Sequence, residues 1–483
     1  VSHRLAISVT KRGLPLPRQI AEAIQHDVGS GRFRSGDRLP SIRALADQLG
    51  VARKTVRAAL TELERQGWVV CQPRSGVFIA DHPPERAPAI RARRIANTPA
   101  YDQARVALPR RPVSPRARFD LLGGVPDLSS APTAALARAL RRSVATDRHG
   151  ALLDYGDARG EPRLRASLAK WLAGTRGLTA DPAAVHTVRG AQNGLYLAGR
   201  ALLAPGDRVA IEAYAHPSPS ALFRLLQFDL VPVPVDGAGM DVAALEALDA
   251  DRRIRAVYLT PHHQLPTTST LSPPRRKHLL ELARKRRWLI LEDDYDHEFQ
   301  YAGAPVLPLA HEDRHGVVVY FGTLSKVVAP GLRIAFVVAP PPVIDRIAAY
   351  RRFVDVQGDQ ILERAVCDLL EDGEIDRHIR RMARIYRARC AALCEALRSE
   401  LPILRFAPPA GGMAVWAEAP GIDVDAWAAR ALELGVSFQP ASLFACGDVA
   451  LDALRIGFAA CDEAELREAV RRMARALPPP RRR

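Results

Sequence analysis

The chain has 483 residues, too many for one ordinary hydrophobic core, so two or three globular domains are expected. Its formal charge of +16 is local: residues 1–80 carry +7, residues 81–118 carry +6 and the other 365 only +3, which points to one module that binds a polyanion, most often nucleic acid. No run approaches the roughly 18 apolar residues of a membrane span, the opening residues lack the apolar stretch of a secretory signal, and the six cysteines form no CxxC pair. A cytoplasmic location without a disulfide framework or zinc ribbon is therefore expected.

Three apolar patterns at helical spacing precede residue 70. The first aligns Ile20, Ile24 and Val28 and ends at Gly29-Ser30-Gly31. The second starts after Pro40-Ser41, where Ser41 can cap the helix, and places Ile42, Leu45, Ala46 and Leu49 on one face before Gly50 ends it. The third turns Val56, Ala59, Leu60 and Leu63 inward and stops at Gly67; WVVCQPRSGVFIA (68–80) then reads as two strands about a Pro-Arg-Ser-Gly turn. Three helices and a wing result. In a helix-turn-helix the second helix presents basic and polar side chains at its N-terminal end to the major groove of double-stranded DNA, and Arg53, Lys54, Thr55 and Arg57 stand there. Arg38, Ser41 and Arg43 flank the first helix of the pair, and Arg74, Ser75 and Gly76 form a wing tip small enough to approach a backbone or minor groove.

The string GDRLPSIRALADQLGVARKTVRAALTELERQGWVVCQPRSGVFI (36–79) resembles the winged helix of GntR-type regulators. One departure is visible. That family usually carries a serine or similar cap before the recognition helix, whereas this chain has Ala52, a loss of about 1 kcal/mol that a packed domain absorbs. Domain boundaries at 1–80, 81–118 and 119–483 follow, the middle segment being an extended linker with seven prolines and nine arginines.

From Phe119 short strand-like runs (VHTV, RVAIE, RAVYLT, RRWLILEDD, GVVVYFG) alternate with helical patterns, the signature of an α/β sheet covered on both faces. After about residue 340 the pattern turns mainly helical, and Ala414 to Trp416 and Leu454 to Phe458 suggest a smaller α+β lobe. Gly190, Ala191 and Gln192 fall between a strand and a helix, where backbone N–H groups and the helix dipole hold an anion. In YFGTLSKVVAPGLRIAF (320–336), a strand runs into a turn carrying Ser325 and Lys326, with Arg333 seven positions later. An amine, hydroxyls and a guanidinium in that order suit pyridoxal phosphate, whose aldehyde needs an amine for a Schiff base and whose phosphate needs cationic and hydroxyl partners.

Across roughly residues 119–475 the body resembles fold-type I pyridoxal phosphate enzymes of the aminotransferase group, with LLDYGDARGEPRLRASLAKWLAGTRG (152–177) looking like the substrate-side loop and first helix. The resemblance implies that Lys326 is the Schiff-base lysine, that Asp293 pairs with the protonated ring nitrogen, and that Tyr295 reaches the cofactor's phenolic oxygen. It implies that Tyr214 stacks on the ring, that Thr323, Ser325 and Arg333 complete the phosphate site, and that Arg455 receives the carboxylate of an amino-acid ligand. Glu292, Asp293, Asp294, Asp296, His297 and Glu298 also read as a hard-metal cluster, but neighbours on a strand point to opposite faces, so no metal is expected there. Cys390 and Cys394, four apart on a helix, read as ordinary packing. A second departure is Thr268, in YLTPHHQLPTTST (258–270), where the group has glycine; it bears on the shape of the substrate side.

Together, a winged helix, a basic linker and an aminotransferase-like body resemble the MocR-type transcriptional regulators. That resemblance implies a DNA-binding, cytoplasmic, head-to-tail homodimer whose effector is pyridoxal phosphate or an amino compound. A working aminotransferase with an incidental N-terminal module is the alternative, and a cofactor-free DNA-binding protein with a decayed body is the third.

Overall fold

The structure, a computed structural model, describes residues 14–73, 75–84, 117–301, 306–447 and 451–479. They fall into two compact units that divide near Arg105. Most of the expected linker, residues 85–116, lies outside the described residues, as does Arg74 of the wing tip.

The first unit contains α1 (Leu16–Gly29), α2 (Ile42–Leu49) and α3 (Arg53–Arg65), followed by an antiparallel hairpin of β1 (Val69–Gln72) and β2 (Gly76–Ile79). Ser41 Oγ accepts the Ala44 N–H at 3.2 Å and so caps α2, while Gly50 ends that helix in the left-handed conformation at φ 64°. Ala52 precedes α3 with no side-chain cap. The apolar faces read from helical spacing converge on one core, in which Ile20, Ile24, Leu45, Val56, Leu60 and Leu63 are buried against Trp68 and Ile79.

The second unit is built on a seven-stranded sheet of β3 (Val185–Val188), β4 (Arg208–Glu212), β5 (Asp229–Val233), β6 (Ile254–Leu259), β7 (Leu289–Asp294), β8 (Val318–Thr323) and β9 (Ala335–Val338), in the order β3-β9-β8-β7-β6-β4-β5. Strands β4 to β8 pair in parallel, and β9 runs antiparallel between β8 and β3. The motif reading left out β5 and β9. Pro232 breaks the β pattern of β5 and is tolerated because β5 is an edge strand. β9 follows closely on the turn at Arg333, inside the run read for its site residues.

Alternate strand residues feed two separate cores, as a sheet covered on both faces requires. Ile211, Tyr258, Leu291 and Phe321 pack under the helices Ala191–Leu202 and Pro341–Val354, whereas Ala210, Val257, Leu259 and Ile290 pack under Val242–Arg252 and Pro273–Arg286. A smaller lobe follows, with antiparallel strands Ala414–Glu418, Gln439–Pro440 and Ala453–Gly457 against the 27-residue helix Glu374–Glu400 and the helix Glu463–Ala476. Cys390 and Cys394 are buried in the core of this lobe. The parallel strands deliver their C-terminal ends, and the loops that follow, to one rim of the sheet, where ligands bind in such folds.

Candidate functional site

On the first unit, an open groove of about 940 Å³ runs between the start of α2, the start of α3 and the hairpin. Arg38, Arg43, Arg53 and Arg57 all line it, with Ser41, and no carboxylate is among its lining residues. Four guanidiniums around one concave surface make a strong anion attractor. The N–H groups of Arg53 and Lys54 at the start of α3, which no side chain caps, add to it. Lys54 is exposed beside this groove's wall without lining it, and Thr55 is half-buried with its N–H bonded to the Ala52 carbonyl at 2.9 Å. Ser41 has its Oγ committed to the cap of α2.

The hairpin changes the reason for Gly76. A Cβ there would lie 2.9 Å from Arg38 Nε, because Arg38 lies along β2 with its guanidinium 6.0 Å from the Phe78 ring centroid. The missing side chain makes room for an arginine of the same domain, and its φ of 121° favours glycine besides. Ser75 is exposed and its N–H closes the turn on the Gln72 carbonyl at 3.1 Å.

On the second unit, β7 and β8 end side by side, with Asp293 paired in register to Phe321. Lys326 follows β8 and its Nζ donates to the Gly124 carbonyl at 2.5 Å. Burial lowers the pKa of this amine, and Arg455 and Arg333 push the same way against the opposing pull of Asp296 and Asp293. Asp293 Oδ2 accepts from Tyr258 Oη at 2.8 Å, while Oδ1 is buried with no hydrogen-bond partner. Burial pushes this carboxyl up to about 6, opposed by the Tyr258 hydrogen bond. A buried carboxylate with one oxygen satisfied and one bare is shaped for a cationic N–H group.

Tyr214 and Tyr295 belong to one small apolar cluster with Ala213, Leu265 and Phe444. Their hydroxyls are buried, and neither makes a well-formed hydrogen bond. The Arg455 guanidinium lies beside Tyr295 and offsets part of the burial that raises its pKa. Gln264 fixes the Tyr214 backbone by donating to its carbonyl at 2.7 Å.

The residues expected to hold the phosphate lie around the start of the helix Ala191–Leu202. Gly190 precedes the helix Ala191–Leu202 at φ 85° and ψ 157°, a region closed to side-chain-bearing residues. A Cβ on Gly190 would run into the Arg333 guanidinium, whose Nη2 donates to the Arg189 carbonyl at 3.0 Å. Gln192 sends its side-chain amide away to the Ser218 carbonyl at 3.1 Å, which leaves the backbone of Ala191 and Gln192 facing the helix start. Thr323 Oγ1 donates to Ser325 Oγ at 2.9 Å, and the Leu324 N–H to the Ile334 carbonyl at 3.1 Å, so the hydroxyl turn and the Arg333 turn are stitched together.

Arg455 is buried, with Nη1 donating to the Pro266 carbonyl at 3.0 Å and its Nε 3.3 Å from where a Gly123 Cβ would stand. Gly123 and Gly124, both at positive φ, thread their backbone between Arg455 and Lys326. The sequence reading missed this pair. Two consecutive glycines directly after a short strand at Phe119–Asp120 were the available signal for close backbone approach. Thr268 stands at φ 61°, so a β-branched residue occupies the left-handed conformation that a glycine would adopt freely.

The orphaned Asp293 Oδ1, the buried hydroxyls of Tyr214 and Tyr295 and the Gly190–Arg333 cradle suit a group with a basic ring nitrogen, a phenolic oxygen and an anionic arm. Pyridoxal phosphate has these three features and an aldehyde for Lys326.

Residues 122–473 match the family model described as aminotransferase class I and II, and residues 16–79 match that of bacterial regulatory proteins, gntR family. The chain is 33% identical over 480 residues to the HTH-type transcriptional regulator TauR of Rhodobacter capsulatus, covering 96% of each protein. It is 28% identical over 481 residues to the probable rhizopine catabolism regulatory protein MocR of Rhizobium meliloti, covering 96% of this chain and 94% of that one. Among solved structures, LysN, the alpha-aminoadipate aminotransferase of Thermus thermophilus complexed with N-(5'-phosphopyridoxyl)-L-leucine, is 32% identical with a TM-score of 0.69, over 74% of this chain and 91% of that one.

Proposed function

Because the chain belongs to the MocR-type regulators, with a gntR-family DNA-binding domain ahead of an aminotransferase class I and II domain, we propose that it reads the state of a pyridoxal phosphate cofactor, or of an amino compound that meets it, and relays that state to DNA. It is a pyridoxal-phosphate-dependent transcriptional regulator. The observation that carries the sensing role is the proximity of Lys326 to the bare Asp293 Oδ1 and to Arg455, and of Arg455 to Tyr295, in a chain that also bears an arginine-lined groove.

Bound pyridoxal phosphate supplies an aldehyde that captures primary amines reversibly and a ring that withdraws electrons. Asp293 would hold the ring-nitrogen proton, Tyr295 would meet the phenolic oxygen and Tyr214 would pack against the ring. The backbone of Gly190, Ala191 and Gln192, with Thr323, Ser325 and Arg333, would hold the phosphate through charge-assisted bonds. The lowered pKa of Lys326 keeps more of its amine neutral and nucleophilic. Arg455 is positioned to receive the carboxylate of an effector amine. The Lys326 amine, when free, has the Gly124 carbonyl as a hydrogen-bond partner. Differential contacts of this kind are what an effector needs to bias a two-state protein.

The partner copy is expected through the large domain as a head-to-tail homodimer. Leu153, Tyr155 and Phe353 are 75%, 82% and 92% exposed. Large apolar side chains this exposed are candidates for burial against a partner copy.

The direct test is spectroscopic. Adding pyridoxal phosphate to the full-length chain should produce the visible band of covalently held cofactor, and Lys326→Ala should abolish it while Lys277→Ala, on an exposed helix face, keeps it. An equal band in Lys326→Ala would remove the proposal's foundation. The alternative reading is a working aminotransferase that uses Asp293, Tyr295, Lys326 and Arg455. Rapid multiple turnover with an amino donor and a keto acid would establish that reading and displace the regulator as the primary role.

A further inference from the structure

Behind the cofactor wall, on the opposite side of β7 from Asp293, three buried side chains converge that the regulator reading does not use. They are His262, from the loop after β6, Asp294, the last residue of β7, and His297, in the turn that follows. One ligand atom of each lies within 4.8 Å of the others. His262 is 4% exposed, and neither of its ring nitrogens has a hydrogen-bond partner. A buried neutral imidazole ordinarily donates from one nitrogen and accepts at the other, so leaving both bare is costly.

The other two residues are arranged to match. Asp294 Oδ2 accepts from Tyr320 Oη at 2.8 Å, while Oδ1 is buried and bare. His297 Nδ1 lies 2.9 Å from Asp294 Oδ2 without the alignment of a hydrogen bond. The rings of His262 and His297 stand 4.7 Å apart, centroid to centroid. Arg176 is ion-paired mainly with Glu298 through Nη2, and its Nε reaches Asp294 Oδ2 only at 3.9 Å, so Asp294 keeps Oδ1 free of any hydrogen bond.

We propose that His262, Asp294 and His297 form a binding site for a divalent transition-metal ion of the zinc class. Two imidazole nitrogens and one carboxylate oxygen form a borderline donor set, suited to Zn²⁺ or Co²⁺ rather than to Ca²⁺ or Mg²⁺, which take mainly oxygen ligands. Tyr320 serves as the outer hydrogen bond that orients the ligating carboxylate. The ion joins the ends of two adjacent parallel strands one residue from Asp293 and Tyr295, and so stiffens the wall that faces the cofactor. The earlier expectation of no metal weighed the acidic run against the strand's alternation. That alternation does send Asp293 and Asp294 to opposite faces, but the partners of Asp294 come from elsewhere in the chain. The proposal is independent of DNA binding and of cofactor binding.

The test uses tag-free full-length protein, stripped with a chelator and then dialysed against Zn²⁺ with a competing chelator, with metal counted by mass spectrometry. About one Zn²⁺ per chain should be retained by the wild type and by His278→Ala, which alters an exposed histidine. Affinity should fall by at least about 100-fold in His262→Ser and in His297→Ser. Because a buried substitution can unfold the domain, His262→Cys supplies the second arm: it restores a metal ligand and should recover tight binding, with a Co²⁺ charge-transfer band that the wild type lacks. Failure of the wild type to retain Zn²⁺, equal retention by the double variant His262→Ser/His297→Ser, or no recovery in a folded His262→Cys would each overturn the assignment.

Discussion

Replacing Gly190 by alanine tests the anion pocket at its tightest point. The backbone there, at φ 85° and ψ 157°, lies in a region that only glycine occupies readily, so the substitution costs about 1–3 kcal/mol of stability through strain alone. The new Cβ also runs into the Arg333 guanidinium and must push it from the helix start. Losing one charge-assisted bond to a phosphate is worth about 1.5–3 kcal/mol, which is roughly 10- to 150-fold in the dissociation constant for pyridoxal phosphate. Cofactor titration followed by visible absorbance, with urea unfolding in parallel, reads both effects. Gly331→Ala is the matched control, because Gly331 stands two residues from Arg333 at an ordinary φ with open space around its Cα. If Gly190→Ala binds the cofactor as tightly as the wild type, or if Gly331→Ala is equally impaired, Arg333 and Gly190 do not form the phosphate cradle.

Three further outcomes are expected. Arg53→Ala and Arg57→Ala should each weaken DNA binding and reduce its log–log salt slope by about one, measured by anisotropy across a salt series; unchanged slopes would remove these side chains from the phosphate contacts. Glu212 is buried beneath Thr260, whose N–H and hydroxyl it accepts, and burial raises its pKa from 4.5 to about 7. Its contribution is therefore fully present below about pH 4.5 and lost as pH rises through 7, by up to about 3 kcal/mol. Glu212→Gln keeps the acceptor and should lose less stability than the wild type between pH 5 and 8 in urea titrations; parallel curves would show that Glu212 titrates normally. Phe353→Glu places a charge on the most exposed large apolar side chain among the described residues and should shift the chain from dimer to monomer in light scattering, whereas an unchanged mass would place the interface elsewhere.

Local chemistry made some of this protein readable from its sequence. The cap at Ser41, the left-handed stop at Gly50 and the buried faces of α1 to α3 depend on neighbours within a turn or two, and the helical spacing displayed them. So did the strand ends that deliver Asp293 and Lys326, because fully buried parallel strands are continuous apolar runs. Relations across hundreds of residues were not legible. Nothing near Lys326 announces that its amine meets Gly124, 202 positions away, and nothing near Gly190 announces Arg333. The close approach of Arg38 to Gly76 was hidden for the same reason, since Arg38 comes from the segment before α2. His262 and His297 are 35 residues apart, and only the adjacency of β6 and β7 brings their rings together.

The link between the two domains is tested most directly by measuring DNA affinity as a function of cofactor. Fluorescence anisotropy of the full-length chain on DNA taken from upstream of its own coding sequence, at one fixed salt concentration, compares wild type with Lys326→Ala, each with and without pyridoxal phosphate. The expected result is a change of at least about 5-fold in the wild-type dissociation constant on adding pyridoxal phosphate, and none in Lys326→Ala. Equal affinities with and without the cofactor, or the same shift in Lys326→Ala, would contradict sensing through this lysine.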